Sequence, residues 1–242
     1  MNPKVDSAEE LEEKTKEICE IYEAAPELAA TGIKVYSTDE CTGMQAKERL
    51  HTTRPLRAGK ARRVEYEYLR HGTLSLIANF EVASGELVTA TIKETRTEED
   101  FVGHIKRTVE KTPEAQEWWF IVDQLNTHKS AGLVELVAER EGIGEAELGE
   151  KGKSGILQTM KTRQEFLEEK GHRIRFIFTP KHCSWLNQIE IWFSILGKKL
   201  IKWGNFKSKE DLQAQLERFI EYFNQTMAKP FKWTFKGFPL RI

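Results

Sequence analysis

Three acidic residues at the ends of apolar segments are the part of this sequence best suited to chemistry. Asp39 follows the alternating segment Ile33–Thr38, and Asp123 follows the continuous apolar run Trp118–Val122. Glu190 lies early in an amphipathic stretch behind a third apolar run, Arg173–Phe178. Carboxylates that close neighbouring strands meet at one edge of an open sheet, where α/β sites form. Brought together, they repel one another and resist ionising together. A hard divalent cation relieves that conflict, because Mg²⁺ takes oxygen ligands. Two such ions, roughly 3.5–4 Å apart, can hold the attacking and leaving oxygens of an in-line phosphoryl displacement. Zinc would call for His or Cys instead. From pattern alone the plainer reading stays open. An Asp after a strand is often a turn former or helix cap, and Glu190 stands off its helix's apolar stripe, where a solvated glutamate is usual.

The elements that would position these groups follow from periodicity. Residues 7–24 are acidic and helix-favouring, with a thin stripe of Leu11, Ile18 and Ile21, and Thr31-Gly32 ends that region. The strand at Ile33–Thr38 is expected to stop at Asp39-Glu40, and residues 41–63 read as a loop rich in Arg and Lys. Leu74–Val82 and Leu87–Lys93 read as a hairpin through Ser84-Gly85. Thr97–Glu110 and Lys129–Arg140 have helical spacing around the buried strand Trp118–Val122. Residues 141–171 read as an insertion, helical around Leu157–Leu167. Asn187–Lys202 reads as an amphipathic helix, with Ile189, Trp192, Phe193, Leu196 and Leu200 on one face. A last helix opens at Ser208 with Asp211 three residues on and runs to about Asn224. This order predicts an α/β fold, a mixed sheet with helices on its faces. The division expected is an acidic helical leader, 1–30, and a catalytic domain, 31–242, carrying the insertion.

Composition narrows the class. Of 242 residues, 39% are hydrophobic and 31% charged, as in a soluble globular protein, and no apolar run is long enough to span a membrane. The N-terminus lacks the order of a signal peptide. Cys19, Cys41 and Cys183 are too few and scattered for a disulfide framework or a structural zinc site, which points to a reducing cytoplasm. Residues 1–30 hold nine acidic and three basic residues, leaving 34 basic and 29 acidic in the remainder. A mildly basic body behind an acidic leader is compatible with a polyanionic partner without requiring one.

Local motifs add a resemblance. Tyr36-Ser37-Thr38-Asp39-Glu40 resembles the first-aspartate motif of the mariner-like DDE transposase superfamily, in its bacterial insertion-sequence branch. Arg70-His71-Gly72-Thr73 before an apolar strand is similar to that branch too. Ile121-Val122-Asp123-Gln124-Leu125-Asn126-Thr127-His128-Lys129 resembles its second-aspartate motif. The segment Thr179–Phe193, with Leu186-Asn187 three residues before Glu190, resembles the third, and Pro230-Phe231-Lys232-Trp233 the closing segment. The resemblance implies a ribonuclease H-like fold and a triad on Asp39, Asp123 and Glu190. It also implies two Mg²⁺ or Mn²⁺ ions and cut-and-paste DNA transposition. Gln124 stands where many relatives have Asn. The 66 residues between Asp123 and Glu190 exceed the compact spacing of the superfamily, an excess the insertion accounts for. Relatives carry helix-turn-helix modules ahead of the catalytic domain. Only 38 residues precede Asp39, so a separately encoded N-terminal half or a truncated copy is expected.

The resemblance directs attention to cations. Arg49, Arg54, Arg57, Lys60, Arg62 and Arg63 form a cluster of the kind that neutralises phosphates and makes binding steeply salt-dependent. Lys181 and His182 precede the third motif and are candidates to face the scissile strand. His128 is a candidate phosphate contact or water-orienting group, and equally a helix cap. Trp185, Trp192 and Phe193 are expected to fill the core beneath Glu190. The partners implied are double-stranded DNA, as transposon ends and target, and a second copy of the chain in a homodimer that holds two ends together. Two other roles fit the same residues. One is a purely hydrolytic metal nuclease. The other is an inactive DNA-binding remnant that modulates an intact transposase.

Overall fold

The computed structural model describes residues 8–51, 58–60, 65 and 67–236. Five strands form one mixed sheet: β1 (Ile33–Arg49), β2 (Tyr68–Glu81), β3 (Leu87–Lys93), β4 (Glu117–Val122) and β5 (Ile174–Phe178). Their order is β3-β2-β1-β4-β5. β1 to β3 pair antiparallel, whereas β4 and β5 run parallel to β1. The parallel steps need crossovers, and the helices supply them.

Alternation along each strand assigns the two faces. Tyr36, Ile77, Phe120, Val122, Phe176 and Phe178 point to one side. There they meet α2 (Glu98–Lys111), α3 (Ala131–Glu141), α4 (Glu145–Leu148) and α5 (Met160–Leu167). Val35, Ile121 and Ile177 point to the other side, against α1 (Ala8–Ala30). Next to them Leu74, Leu76, Ala78 and Phe80 are covered by α6 (Ile189–Leu196) and α7 (Lys209–Thr226). α2 starts on a capping box between Thr97 and Asp100, and α7 starts where the Ser208 hydroxyl accepts the Asp211 N–H.

Several boundaries differ from expectation. The segment after Asp39 is not a loop. β1 continues to Arg49 and pairs with the first half of β2, forming a two-stranded arm. Its register shifts between Cys41 and Met44 and again between Gln45 and Lys47, and these bulges hide the period-2 pattern that buries Met44 and Ala46. α1 runs on to Ala30 with Pro26 inside it, because Tyr22 and Ala25 are drawn onto the sheet and hold the last turns. The acidic leader is thus packed into the same core as the strands. The helix expected over 187–202 is α-helical only to Leu196 and continues as a π turn, Gly197–Ile201. The insertion is anchored rather than loose, since Leu148, Leu157 and Leu167 enter the core.

The chain's end returns across the sheet. Phe231 stacks on Phe80 at 4.6 Å, and Trp233 packs on Tyr22 at 4.9 Å. Gly85, at φ +76, lets the tail pass: a Cβ there would stand 2.0 Å from the Lys229 carbonyl.

Candidate active site

The parallel register brings the two aspartates together. β1 and β4 pair Ser37 with Ile121, so two residues further on Asp39 lies beside Asp123. Both continue the face that carries Val35 and Ile121, and α6 begins over that face. Glu190 stands in the first turn of α6, exposed, and its carboxyl is raised by partial burial and by the charge of Asp123. Asp39 thus lies within β1 where its pairing with β4 ends, Asp123 lies just past β4, and Glu190 stands at the start of α6 close enough for the Asp123 charge to act on it.

Their surroundings differ. Asp39 is 8% exposed, and burial, with the nearby Asp123 charge adding to it, pushes its carboxyl up to about 7. Its Oδ1 accepts the Glu40 N–H at 2.7 Å. Burial acts on Asp123 in the same sense but is outweighed. Asp123 Oδ1 accepts the Leu125 N–H at 2.8 Å and faces His128 Nδ1 at 2.8 Å, and these hold the carboxyl below its ordinary range. Two donors thus converge on Oδ1.

His128 has no exposed surface, which argues against the phosphate contact among its expected roles. It follows β4 in a short 3₁₀ turn, Asn126–Lys129, and its ring lies 4.2 Å from that of Phe101. Its Nε2 faces Glu40 Oε1 at 3.4 Å, so the ring is held between two carboxylates. Burial alone would lower its pKa. The contacts to Asp123 and Glu40 win, and it is raised to about 9. A buried imidazolium thus braces Asp123 from behind. Glu40 points to the sheet face opposite Asp39, and nothing in the sequence pattern singled it out.

A second network fixes α6. Asn187 is fully buried. Its amide donates to the Thr38 carbonyl at 2.9 Å and leans on Asp39 Oδ2 at 3.4 Å. The Ser37 hydroxyl donates to Asn187 Oδ1 and accepts the Ile189 N–H at 2.8 Å. Tyr22, from α1, donates to the Leu186 carbonyl at 2.8 Å. The residues on either side of Asp39 and those just ahead of Glu190 are thereby tied into one unit. Ser37 and Asn187 stood inside the motifs without a role, and Tyr22 was not singled out, because isolated Ser, Asn and Tyr carry no pattern until topology joins them.

Gln124 reaches across to the Thr179 carbonyl at 2.8 Å and so joins the ends of β4 and β5. Lys181 and His182 are exposed in the turn after β5, and His182 holds φ +62, a left-handed conformation uncommon outside glycine. Arg49 spends its guanidinium on the Glu65 carbonyl and its N–H on Asn205, so it staples the arm. Lys60 is exposed, and Arg54, Arg57, Arg62 and Arg63 lie outside the described residues. Trp192 and Phe193 are core residues as expected. Trp185 is not: it is 49% exposed, edge-on to Phe235.

Hard carboxylate oxygens, two of them on acids whose charge is disfavoured without a counterion, fit a divalent cation. Among the described residues, no three such side chains are already gathered around a point where an ion would sit. No described helix is long and apolar enough to cross a membrane.

Residues 34–213 match the DDE superfamily endonuclease family. In fold the chain is similar to the Mos1 mariner paired end complex with Mn, at 12% identity and TM-score 0.51, covering 90% of this chain and 57% of that one. The catalytic domain of Mos1 mariner transposase gives 11% identity and TM-score 0.48, over 91% of this chain and 85% of that one. The Mos1 strand transfer complex gives 11% and 0.48, over 91% and 57%. The chain thus spans little more than half of the longer Mos1 chains. The sheet and its helices are ribonuclease H-like, as the first of these shares. No curated protein sequence matches.

Proposed function

This chain belongs to the DDE endonuclease superfamily, and from that premise we propose that it is the catalytic part of a DNA transposase, with Asp39, Asp123 and Glu190 as its triad. The observation that carries the reading is the β1–β4 register, which sets Asp39 beside Asp123 beneath the first turn of α6.

Asp39, Asp123 and Glu190 would hold two divalent ions, Mg²⁺ or Mn²⁺. Such ions, when bound, supply Lewis-acid activation of water and neutralise charge on the phosphodiester. The chain's own residues prepare the rest. His128 and the Leu125 N–H fix Asp123 through Oδ1. Asn187 and Ser37 hold the start of α6, and with it Glu190, in register with Asp39. Hydrolysis at the end of a mobile DNA segment frees a 3′-hydroxyl, and that hydroxyl attacks a second DNA in the same site. No protein nucleophile is required. Holding two ends at once calls for a dimer, and a separately encoded helix-turn-helix half would supply end recognition.

Strand transfer separates this reading from hydrolysis alone. A pre-cut, labelled DNA end is incubated with the chain, Mn²⁺ and a target plasmid. Joined product that disappears in Asp39→Asn is expected. Nicked plasmid with no joined product would reduce the role to that of a nuclease.

A further inference from the structure

A groove of about 550 Å³ runs along the β1–β2 arm, beginning beside the triad. Its inner end is Cys41, two residues past Asp39 on the same strand face. The Cys41 thiol is pushed up by burial and by the charges of Glu190 and Asp39. Phe193 and Leu196 of α6 give it an apolar floor. Its outer wall is Lys47, Tyr68 and Arg70, all exposed.

Lys47 and Arg70 are direct cross-strand partners. Like charges placed opposite each other on antiparallel strands destabilise a sheet. Among the described residues neither has a carboxylate partner and no carboxylate lines the groove. The two cations crowd around one ring. Lys47 Nζ lies 5.0 Å from the Tyr68 ring centre, while Arg70 lies 5.5 Å from it and donates to its hydroxyl at 3.1 Å. The far side is the π turn Gly197–Ile201, with open space at Gly197 and the exposed Lys198 and Lys199 beside it. Single π turns recur at functional sites. An unbalanced cation pair, an amphipathic ring and an apolar floor, continuous with a phosphodiester-cutting edge, match the chemistry of a nucleic-acid strand.

We propose that this groove binds the sugar-phosphate backbone of the DNA strand running on from the scissile bond, with one phosphate held between Lys47 and Arg70. The proposal rests on DNA being the substrate, but not on the triad being active.

The test is binding of a fluorescent duplex by the full chain in EDTA across a salt series, with cutting silenced. Each phosphate contact contributes about 0.9 to the slope of log affinity against log salt. Lys47→Gln with Arg70→Gln is expected to lower the slope by about 0.9, the value of the one phosphate they share. Lys153→Gln with Lys161→Gln, on the insertion, is expected to leave it unchanged. The melting temperature of the first pair should stay level or rise, because a like-charge contact is removed. A parent without salt-dependent binding, an unchanged slope, or an equal fall in the control pair would overturn the proposal. Should the first pair melt early, photocrosslinking of the parent to 5-iodouracil DNA decides: adduct on Tyr68 supports the groove, and adducts only elsewhere refute it. A slope change in a protein that never cuts would leave the groove standing and sink the catalytic reading alone.

Discussion

Replacing Asn187 with alanine tests whether the buried network, rather than general packing, carries Glu190 to the aspartates. The substitution strands two buried groups, the Ser37 hydroxyl and the Thr38 carbonyl, and removes a contact to Asp39. An unsatisfied buried polar group costs about 1–3 kcal/mol, so the loss from two should be roughly 2–6 kcal/mol. Ser37→Ala strands the Ile189 N–H and the Asn187 carbonyl oxygen and should likewise cost roughly 2–6 kcal/mol. Because the two side chains touch, their effects should not add. The double variant should fall short of the sum by at least about 0.5 kcal/mol. Urea unfolding followed by tryptophan fluorescence measures all four proteins. Additivity within about 0.3 kcal/mol, or an Asn187→Ala loss below about 1 kcal/mol, would refute the reasoning.

Other outcomes follow from the same geometry. His128 has its folded-state pKa raised to about 9, so its contribution is full below about pH 6.5 and is lost as pH rises through 9. In EDTA, unfolding free energy should fall between those limits at up to about 1.4 kcal/mol per pH unit, and His128→Gln should flatten the decline; a flat parent profile would contradict this. Asp39, raised to about 7, adds a decline of the same sign from about pH 4 to 7, and Mn²⁺ should oppose both by occupying the carboxylates. Gly85→Ala meets both a left-handed backbone and the Lys229 carbonyl, and should lower stability by more than about 2 kcal/mol with a shift in Trp233 emission. A neutral result there would mean the tail is not held over the hairpin.

The candidate acids were legible because Asp39 and Asp123 each follow an apolar run and Glu190 opens an amphipathic one, and the period of each run names its element. Trp118–Val122 announces a central strand, so Asp123 falls at its end whatever the partners are. The hairpin at Gly85 and the helix cap at Ser208 were readable for the same local reason. The arm was not, because two bulges in β1 break the alternation that buries Met44 and Ala46. Nor were Glu40, Ser37, Asn187 and Tyr22. Each acts through a partner more than 80 residues away in the chain, from Glu40 with His128 to Tyr22 with Leu186. His128 was noticed for its spacing, but its burial was not legible, since that depends on Phe101 arriving from α2.

The most direct test of the central claim is Mn²⁺-dependent nicking of supercoiled plasmid by the purified chain, beside Asp123→Asn and Glu190→Gln. Nicking by the parent that falls at least about a hundredfold in both variants is the result expected of a shared two-ion site. Equal nicking by all three proteins would contradict the assignment of these carboxylates.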